Sequence, residues 1–289
     1  MTDPVLRPHA GGSPLRATTE LAPQRQAWIL DAVQRSGGVR VSELTRALGV
    51  SDMTIRRDLD TLARQGLVSK VHGGATAASI GPSTDEPGFE VKSVRHPAEK
   101  EAIAVRAAQI VEPGSAVALT AGTTTWTVAR YLADIPRLTV VTNSVHVAEA
   151  LHAQARPDRT VVLTGGVRTP SDALVGPVAV SAIRSLHVDL VVMGVHGIDQ
   201  GAALTTPNLM EAETNRAFCQ AARRLVVVAD HSKWGVVGLS QIARLEDVDL
   251  LVTDDGIDRE ARATLADLLG GELVVAKVDG GRDKRRNGR

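Results

Sequence analysis

The chain has 289 residues, is 43% hydrophobic, 23% charged and 2% aromatic, and sets 33 basic side chains against 33 acidic ones. That length predicts a small module joined to a larger domain with an aliphatic core, and the formal net charge of +0 removes any global attraction to nucleic acid. Cys219 is the lone cysteine, which excludes an intramolecular disulfide and a multi-cysteine zinc site, and no apolar run or signal-peptide core points to a membrane. The cytoplasm is the expected location, with no metal or cofactor expected.

Residues 1–22 carry Pro, Gly and Thr without periodicity and read as a disordered leader. Gln24 to Gln34 is an amphipathic helix with Trp28, Ile29, Ala32 and Val33 inward, broken by Gly37-Gly38. Ser42 is positioned to cap a second helix, Glu43 to Leu48, that packs through Leu44, Ala47 and Leu48. Gly49 supplies a tight turn, and Ser51 caps a third helix because its hydroxyl can accept an orphan N–H. Along that helix Ile55, Leu59, Leu62 and Ala63 form an apolar stripe. Met53, Arg56, Arg57, Asp60 and Arg64 fall opposite it. Gly66 ends the helix, Leu67 to Val71 is β-prone, and His72-Gly73-Gly74 turns. A basic helix with one buried face, followed by a basic hairpin, suits a major-groove reader with a wing on the backbone. A bare three-helix domain with a solvated face shares the parts but not their order. Any attraction to DNA must come from this local face and weaken with salt.

The run V-S-E-L-T-R-A-L-G-V-S-D-M-T-I-R-R-D-L-D-T-L and the following G-L-V-x-K-V-H-G-G-A resemble the winged helix-turn-helix of DeoR-type transcription regulators, over Arg25 to Ala75. The resemblance implies that Thr54, Arg56 and Arg57 meet base edges and phosphates, with Lys70 and His72 on the backbone. Ser42, Ser51, Met53, Asp60 and Arg64 complete the expected DNA-facing set.

The module is expected over residues 23–75, followed by a linker over 76–97 in which Phe89 docks onto the next domain. From Ala98 the pattern alternates helices with short apolar strands, the mark of a mostly parallel, Rossmann-like α/β sheet covered on both faces. A helix at Ala98 to Val111 precedes a strand at Ala116 to Thr120, a loop at Ala121 to Thr125 and a helix at Trp126 to Leu132. Strands follow at Leu138 to Val141, Thr160 to Leu163, Leu190 to Met193, Leu225 to Ala229, Leu250 to Val252 and Leu273 to Ala276. Helices lie between them at Val145 to Leu151, Val178 to Ser185, Leu209 to Arg223 and Arg259 to Leu269. Cys219, in an Ala-rich helix, is expected to be packed and inert. The domain is expected over 98–278, with residues 279–289 a basic disordered tail.

Thr120-Ala121-Gly122-Thr123-Thr124-Thr125 lies between a strand and a helix start, where N–H groups and small hydroxyls can cradle an anion. A capped tight turn would look the same. Thr142-Asn143-Ser144 and Gly165-Gly166 end the next two strands, and open α/β sheets bind ligands beyond the carboxyl ends of their strands.

This second region resembles the effector domain of DeoR-type regulators through E-K-E-x-I-A, V-E-P-G, G-T-T-T, V-V-T-N-S, L-T-G-G, L-V-G-P and A-D-H-S-K-W-G. That domain is similar to ribose-5-phosphate isomerases and glucosamine-6-phosphate deaminases. The resemblance implies a phosphorylated sugar held by Lys100 and the Gly122-Thr123-Thr124 loop, and a homo-oligomer. Lys233 is placed either in the same cleft or on the surface. Where the isomerases carry D-G-x-D-E, this chain has Met193-Gly194-Val195-His196-Gly197, and Pro207 falls near their catalytic glutamate. Proton transfer beside a carbonyl needs such a carboxylate, and a lone His196 more often binds or packs. Thr120 stands where many of the regulators have Asp, and Asn215 where many have Lys. The leading expectation is therefore a sugar-phosphate-gated repressor of carbohydrate catabolism genes, without catalytic residues. A sugar-phosphate isomerase or deaminase carrying a DNA-binding domain, and an architectural DNA-binding protein, are the alternatives.

Overall fold

Apolar spacing of three to four residues in the first quarter and short β-branched runs thereafter produce two different cores, and a computed structural model describes both. It covers residues 22–36, 38–64, 67–71, 73–77, 88–154 and 156–278. The expected leader up to residue 21, the expected basic tail, Gly66 and His72 lie outside the described residues, as does the side chain of Arg64, while Ala22, expected to be leader, opens a helix. The chain divides into two compact units, Met1–Ser79 and Ile80–Arg289.

The first unit runs α1 (Ala22–Ser36), β1 (Gly38–Arg40), α2 (Val41–Leu48), α3 (Asp52–Arg64), β2 (Val68–Val71) and β3 (Gly74–Ala77). Ile29, Val33, Val41, Leu44, Ile55, Leu59, Leu62 and Leu67 close its core. Gly49 takes φ +66 between α2 and α3, a left-handed turn that glycine adopts without a Cβ penalty. The unit was expected to be an all-α winged helix-turn-helix module; its wing strands β2 and β3 take in β1 as a third, in an antiparallel sheet of order β1-β3-β2. β1 is too short to give a readable alternation. Two inward assignments differ: Trp28 is 39% exposed, and Ala47 is exposed while Leu44 alone of its trio is fully buried. Ser42 also is not the cap of α2. The helix starts two residues earlier, Arg40 holds the cap position, and the Glu43 carboxylate accepts the Arg40 N–H at 3.1 Å.

Beneath the helices lies a buried ion pair. Arg25 Nε donates to Asp58 Oδ2 at 2.5 Å, with 9% and 5% of the two side chains exposed, and Gln26 Nε2 donates to Asp58 Oδ1 at 3.0 Å. It ties α1 to α3.

The second unit begins with α4 (Phe89–Ser93) and α5 (Pro97–Ala108), then alternates: β4 (Ala116–Leu119), α6 (Thr123–Tyr131), β5 (Thr139–Thr142), α7 (Val145–Ala153) and β6 (Thr160–Leu163). A hairpin of β7 (Val167–Arg168) and β8 (Leu174–Val175) leads to α8 (Pro177–Arg184) and β9 (Leu190–Gly194). There follow β10 (Gly197–Asp199), β11 (Ala203–Thr206), α9 (Leu209–Ala221), β12 (Leu225–Val228), β13 (Ser240–Arg244), β14 (Leu250–Asp254), α10 (Arg259–Leu268) and β15 (Glu272–Ala276). The seven-stranded sheet has order β15-β14-β12-β9-β4-β5-β6, and every pair in it is parallel.

Strand periodicity sorts the core. Val117, Leu119, Val192, Val226, Val228 and Val252 face α5, α6 and α7, while Ala118, Val191, Met193, Val227 and Leu251 pack with residues of α8, α9 and α10. A smaller antiparallel sheet, β10-β11-β13, was not readable in sequence. Phe89 does dock as expected, 6% exposed, stacked on the His146 ring and edge-on to Trp126. It does so from a helix, α4, inside the stretch expected to be linker. Burial pushes the Cys219 thiol up to about 11, which keeps it a poor nucleophile. Among the described residues no helix is long and apolar enough to cross a membrane.

Removing one partner of a buried ion pair leaves an uncompensated charge, so Asp58→Ala should cost the first unit about 3 kcal/mol. Amide hydrogen exchange on the full chain should accelerate in α1 and α3 with β9 and β12 unchanged. Unaltered protection in α3 would show that the pair contributes nothing.

Candidate functional site

In the first unit the Ser51 hydroxyl accepts the Thr54 N–H at 3.3 Å and lies 2.9 Å from the Thr54 hydroxyl, so Ser51 caps α3 as its sequence position suggests. With Ile55 and Leu59 buried beneath, α3 turns Met53, Arg56 and Arg57 outward, Met53 being 62% exposed. Arg56 Nε is 2.7 Å from Asp52 Oδ2, four residues back. A pair this exposed is worth little and yields readily to a stronger anion. Lys70 on β2 donates to Asp60 on α3, so two members of the expected DNA-facing set bind each other. Ser42 sits exposed on α2.

In the second unit the parallel register brings the strand ends level: Leu119 faces Thr142 and Val192, Thr142 faces Leu163, and Gly194 faces Val228. Every residue that follows these positions is thus delivered to one edge. Thr120 is fully buried and its hydroxyl accepts the Gly194 N–H at 3.1 Å, which joins β4 to β9 just beyond their hydrogen-bonded run. Thr120 is therefore a strut between strands. Asn143 Oδ1 accepts the Ala121 N–H at 2.9 Å, and its Nδ2 donates to the Leu174 carbonyl at 3.1 Å, so one amide sets two loops. The Thr142 hydroxyl donates to the Leu119 carbonyl and accepts the Ser144 N–H, while Ser144 caps α7.

The expected loop Ala121 to Thr125 is shorter than its composition suggests. Gly122 occupies the cap position of α6, and Thr123, Thr124 and Thr125 are already its first turn, mostly buried. The first N–H groups of a helix have no intrahelical partner, so those of Thr123, Thr124 and Thr125 converge at this edge. Gly165 and Gly166 follow β6 with φ +71 and +123. At Gly166 a Cβ would stand 2.5 Å from the Val175 carbonyl oxygen, so only glycine permits the approach of β8.

A second cluster gathers beyond β12. Lys100 is 5% exposed, and its ammonium donates to the carbonyls of Lys92 and of Arg95, the latter at 2.6 Å. Burial, only partly offset by Asp230, lowers its pKa to about 8. Its hydrogen-bond acceptors are thus backbone carbonyls, one in α4 and one in the α4–α5 connection. Asp230 is 2% exposed; burial opposes its charge, but Lys233, the Ser232 hydroxyl, His96 and Lys100 hold its carboxyl below the usual range. Lys233 lies in a 3₁₀ turn, His231–Lys233, capped by Asp230, and His196 is partly buried between β9 and β10.

Two polar features here were missed in sequence. Glu211, on the first turn of α9, is buried and accepts from the hydroxyls of Thr169 at 2.7 Å, Ser171, and Thr206 at 3.5 Å. A carboxylate occupied by three hydroxyls braces the β7–β8 hairpin. It lies four residues past Pro207. The second is the His231–Asp254 pair, with Nδ1 2.7 Å from a fully buried carboxylate. No spacing rule links residues so distant in sequence.

A capped helix facing solvent in a winged module, and a parallel sheet whose loops converge at one edge, define a two-part regulator with a reader and a sensor. Residues 25–80 match the DeoR-like helix-turn-helix domain and residues 95–255 the DeoR C terminal sensor domain. The chain belongs to the DeoR family of transcription regulators. It is 38% identical over 244 residues to the HTH-type transcriptional regulator GlpR of Haloferax volcanii, covering 84% of this chain and 93% of that one. To the HTH-type transcriptional regulator GolR of Listeria innocua it is 35% identical, covering 82% and 92% of the two chains. To the glycerol-3-phosphate regulon repressor of Escherichia coli it is 33% identical, covering 80% and 90%. A ribose 5-phosphate isomerase A from Neisseria gonorrhoeae aligns at TM-score 0.35 and 17% identity, over 49% of this chain and 54% of that one, a likeness too slight to carry function.

Between pH 8 and 10.5 the unfolded chain keeps a proton on Lys100 that the folded chain has released, so stability from this residue rises with pH across that window. The difference in thermal midpoint between the natural chain and Lys100→Met should therefore shift toward the natural chain as the pH climbs through it. A difference independent of pH would mean that the buried lysine titrates normally.

Proposed function

We propose that this chain is a repressor of carbohydrate catabolism genes, acting in the cytoplasm as a homo-oligomer and released from its operator by a phosphorylated sugar or sugar derivative. The observation that carries the DNA half is the outward face of α3, where Met53, Arg56 and Arg57 lie exposed behind the Ser51 cap. An arginine on such a helix can grip guanine through two hydrogen bonds, whereas Lys70 on the wing suits the backbone. An oligomer would offer two such helices to paired half-sites at a fixed spacing.

The sensing half rests on the carboxyl edge of the sheet. Free N–H groups at the start of α6, backed by the threonine hydroxyls and by the Asn143 amide, suit a phosphate. The edge also brings Lys100 and Lys233 near one another and near Asp230, and their charge favours an anionic guest. The glycerol-3-phosphate regulon repressor among the relatives agrees with an effector of this class. Release follows only if the effector prefers the DNA-incompetent state, since equal affinity for both shifts nothing.

Arg57→Ala should weaken operator binding in gel shift by about tenfold to a hundredfold, equivalent to about 1–3 kcal/mol for one base-specific arginine, with thermal stability unchanged. Undiminished affinity would remove α3 from the interface. Among phosphorylated sugars and polyols, a true effector should raise the thermal midpoint and lower operator affinity. A panel in which none does either would leave the sensor assignment without support.

A further inference from the structure

His96, Glu99 and His231 bring one potential ligand atom each to within 4.8 Å of one another. His96 holds the cap position of α5, Glu99 lies in its first turn, and His231 opens the 3₁₀ turn after β12. His96 Nδ1 is 3.7 Å from Glu99 Oε1, and the two imidazoles meet edge to face with centroids 5.1 Å apart.

Three observations distinguish the group from an ordinary surface ion pair. The first is the support behind His231: the fully buried Asp254 carboxylate sits 2.7 Å from its Nδ1 and is itself fixed by the His231 N–H at 2.7 Å and the Gly256 N–H at 2.9 Å. A carboxylate behind one ring nitrogen fixes the tautomer and leaves the other nitrogen as a ligand, as in carboxylate–histidine–metal triads. The second is Gly256, where a Cβ would stand 2.5 Å from His231 Nδ1 and 2.7 Å from Asp254 Oδ2; the missing side chain leaves room for the pair. The third is the backbone. His96 holds φ +50, a left-handed conformation that is uncommon away from glycine and concentrates at functional positions.

We infer that His96, Glu99 and His231 form a three-ligand site for a divalent first-row transition metal ion, with Asp254 orienting His231. Two imidazoles and one carboxylate suit zinc and its neighbours, whereas a calcium or magnesium site would be built from oxygens. Ligands about 2.1 Å from a tetrahedral ion stand about 3.4 Å apart, so the 3.7 Å His96–Glu99 spacing is already close to that of a bound pair. Three protein ligands leave a coordination position open to water or to an oxygen of a small molecule. The site adjoins Lys100 and Lys233 in the same cluster, and neither the DNA-binding nor the sugar-phosphate reading depends on it.

Full-length protein stripped with chelator and titrated with Zn²⁺ by calorimetry should bind one equivalent through this site, and Co²⁺ should develop the visible absorption of a low-coordinate imidazole site. His96→Gln and His231→Gln should each weaken Zn²⁺ binding by at least about tenfold, and Asp254→Asn by about tenfold through loss of orientation. Thermal midpoints of the metal-free variants check folding. Glu99→Gln, at a partly exposed position, tests the same ligand set if a histidine variant unfolds. The inference is overturned if the natural chain shows no saturable Zn²⁺ binding, or if binding is the same in folded His96→Gln and Glu99→Gln.

Discussion

The parallel backbone ladder is the constraint on which the second unit depends. Its strands are only four or five residues long and its central ones, β4, β9, β12 and β14, are buried almost throughout. No polar side chain can sit in their interior without a partner, so the chemistry is displaced to the residues just after each strand. Because all strands run the same way, those residues converge on one edge. Thr120, Asn143, Ser144, Asp230 and Asp254 are all buried polar residues at or just beyond strand ends. Each is held by hydrogen bonds to a neighbouring connection or turn.

That edge contains two chemically different halves. Around β4 and β5 it is built from hydroxyls, a side-chain amide and helix-start N–H groups, which are neutral donors fixed in place by the ladder. Around β12 and β14 it is built from ionisable groups: Lys100, Asp230, His231, Lys233 and Asp254. The α5 helix contributes Lys100 and Glu99 to the second half, while α4 anchors its own end through Phe89 against Trp126 and His146. The short segment before α5 thus belongs to the sensor's architecture.

The reader unit obeys a different rule. Its small size leaves area burial alone only marginal, and the buried Arg25–Asp58 pair ties α1 to α3. The pair restricts how α3 can sit on the unit and therefore which side of the helix faces outward. Asp60 and Lys70 then join α3 to the wing at the surface. Within α3 one aspartate, Asp58, is an internal tie while Asp52, Arg56 and Arg57 are exposed, and position along the helix separates them.

Element type and order were legible because period-3.6 and short apolar runs are local signals. The capped α3, the left-handed Gly49 and the alternation of strands with helices follow from residues close together in the chain. Helix starts were less legible: α2 begins before Ser42, and α6 begins at Thr123, because a β-branched threonine reads as loop until a preceding glycine and a buried face are seen together. The small sheet β10-β11-β13 and strand β1 stayed hidden, since each is completed by a partner elsewhere in the chain. The same reason governs the site. Sequence by itself identified the loops that reach the sheet edge and the solvent-facing arginines of α3, because both depend on neighbours within a few residues. Only the tertiary structure decided that Lys100 donates to backbone carbonyls, that Glu211 is braced by three hydroxyls, and that His96, Glu99, His231 and Asp254 meet, because burial and long-range proximity are properties of the packed chain and leave no spacing to read.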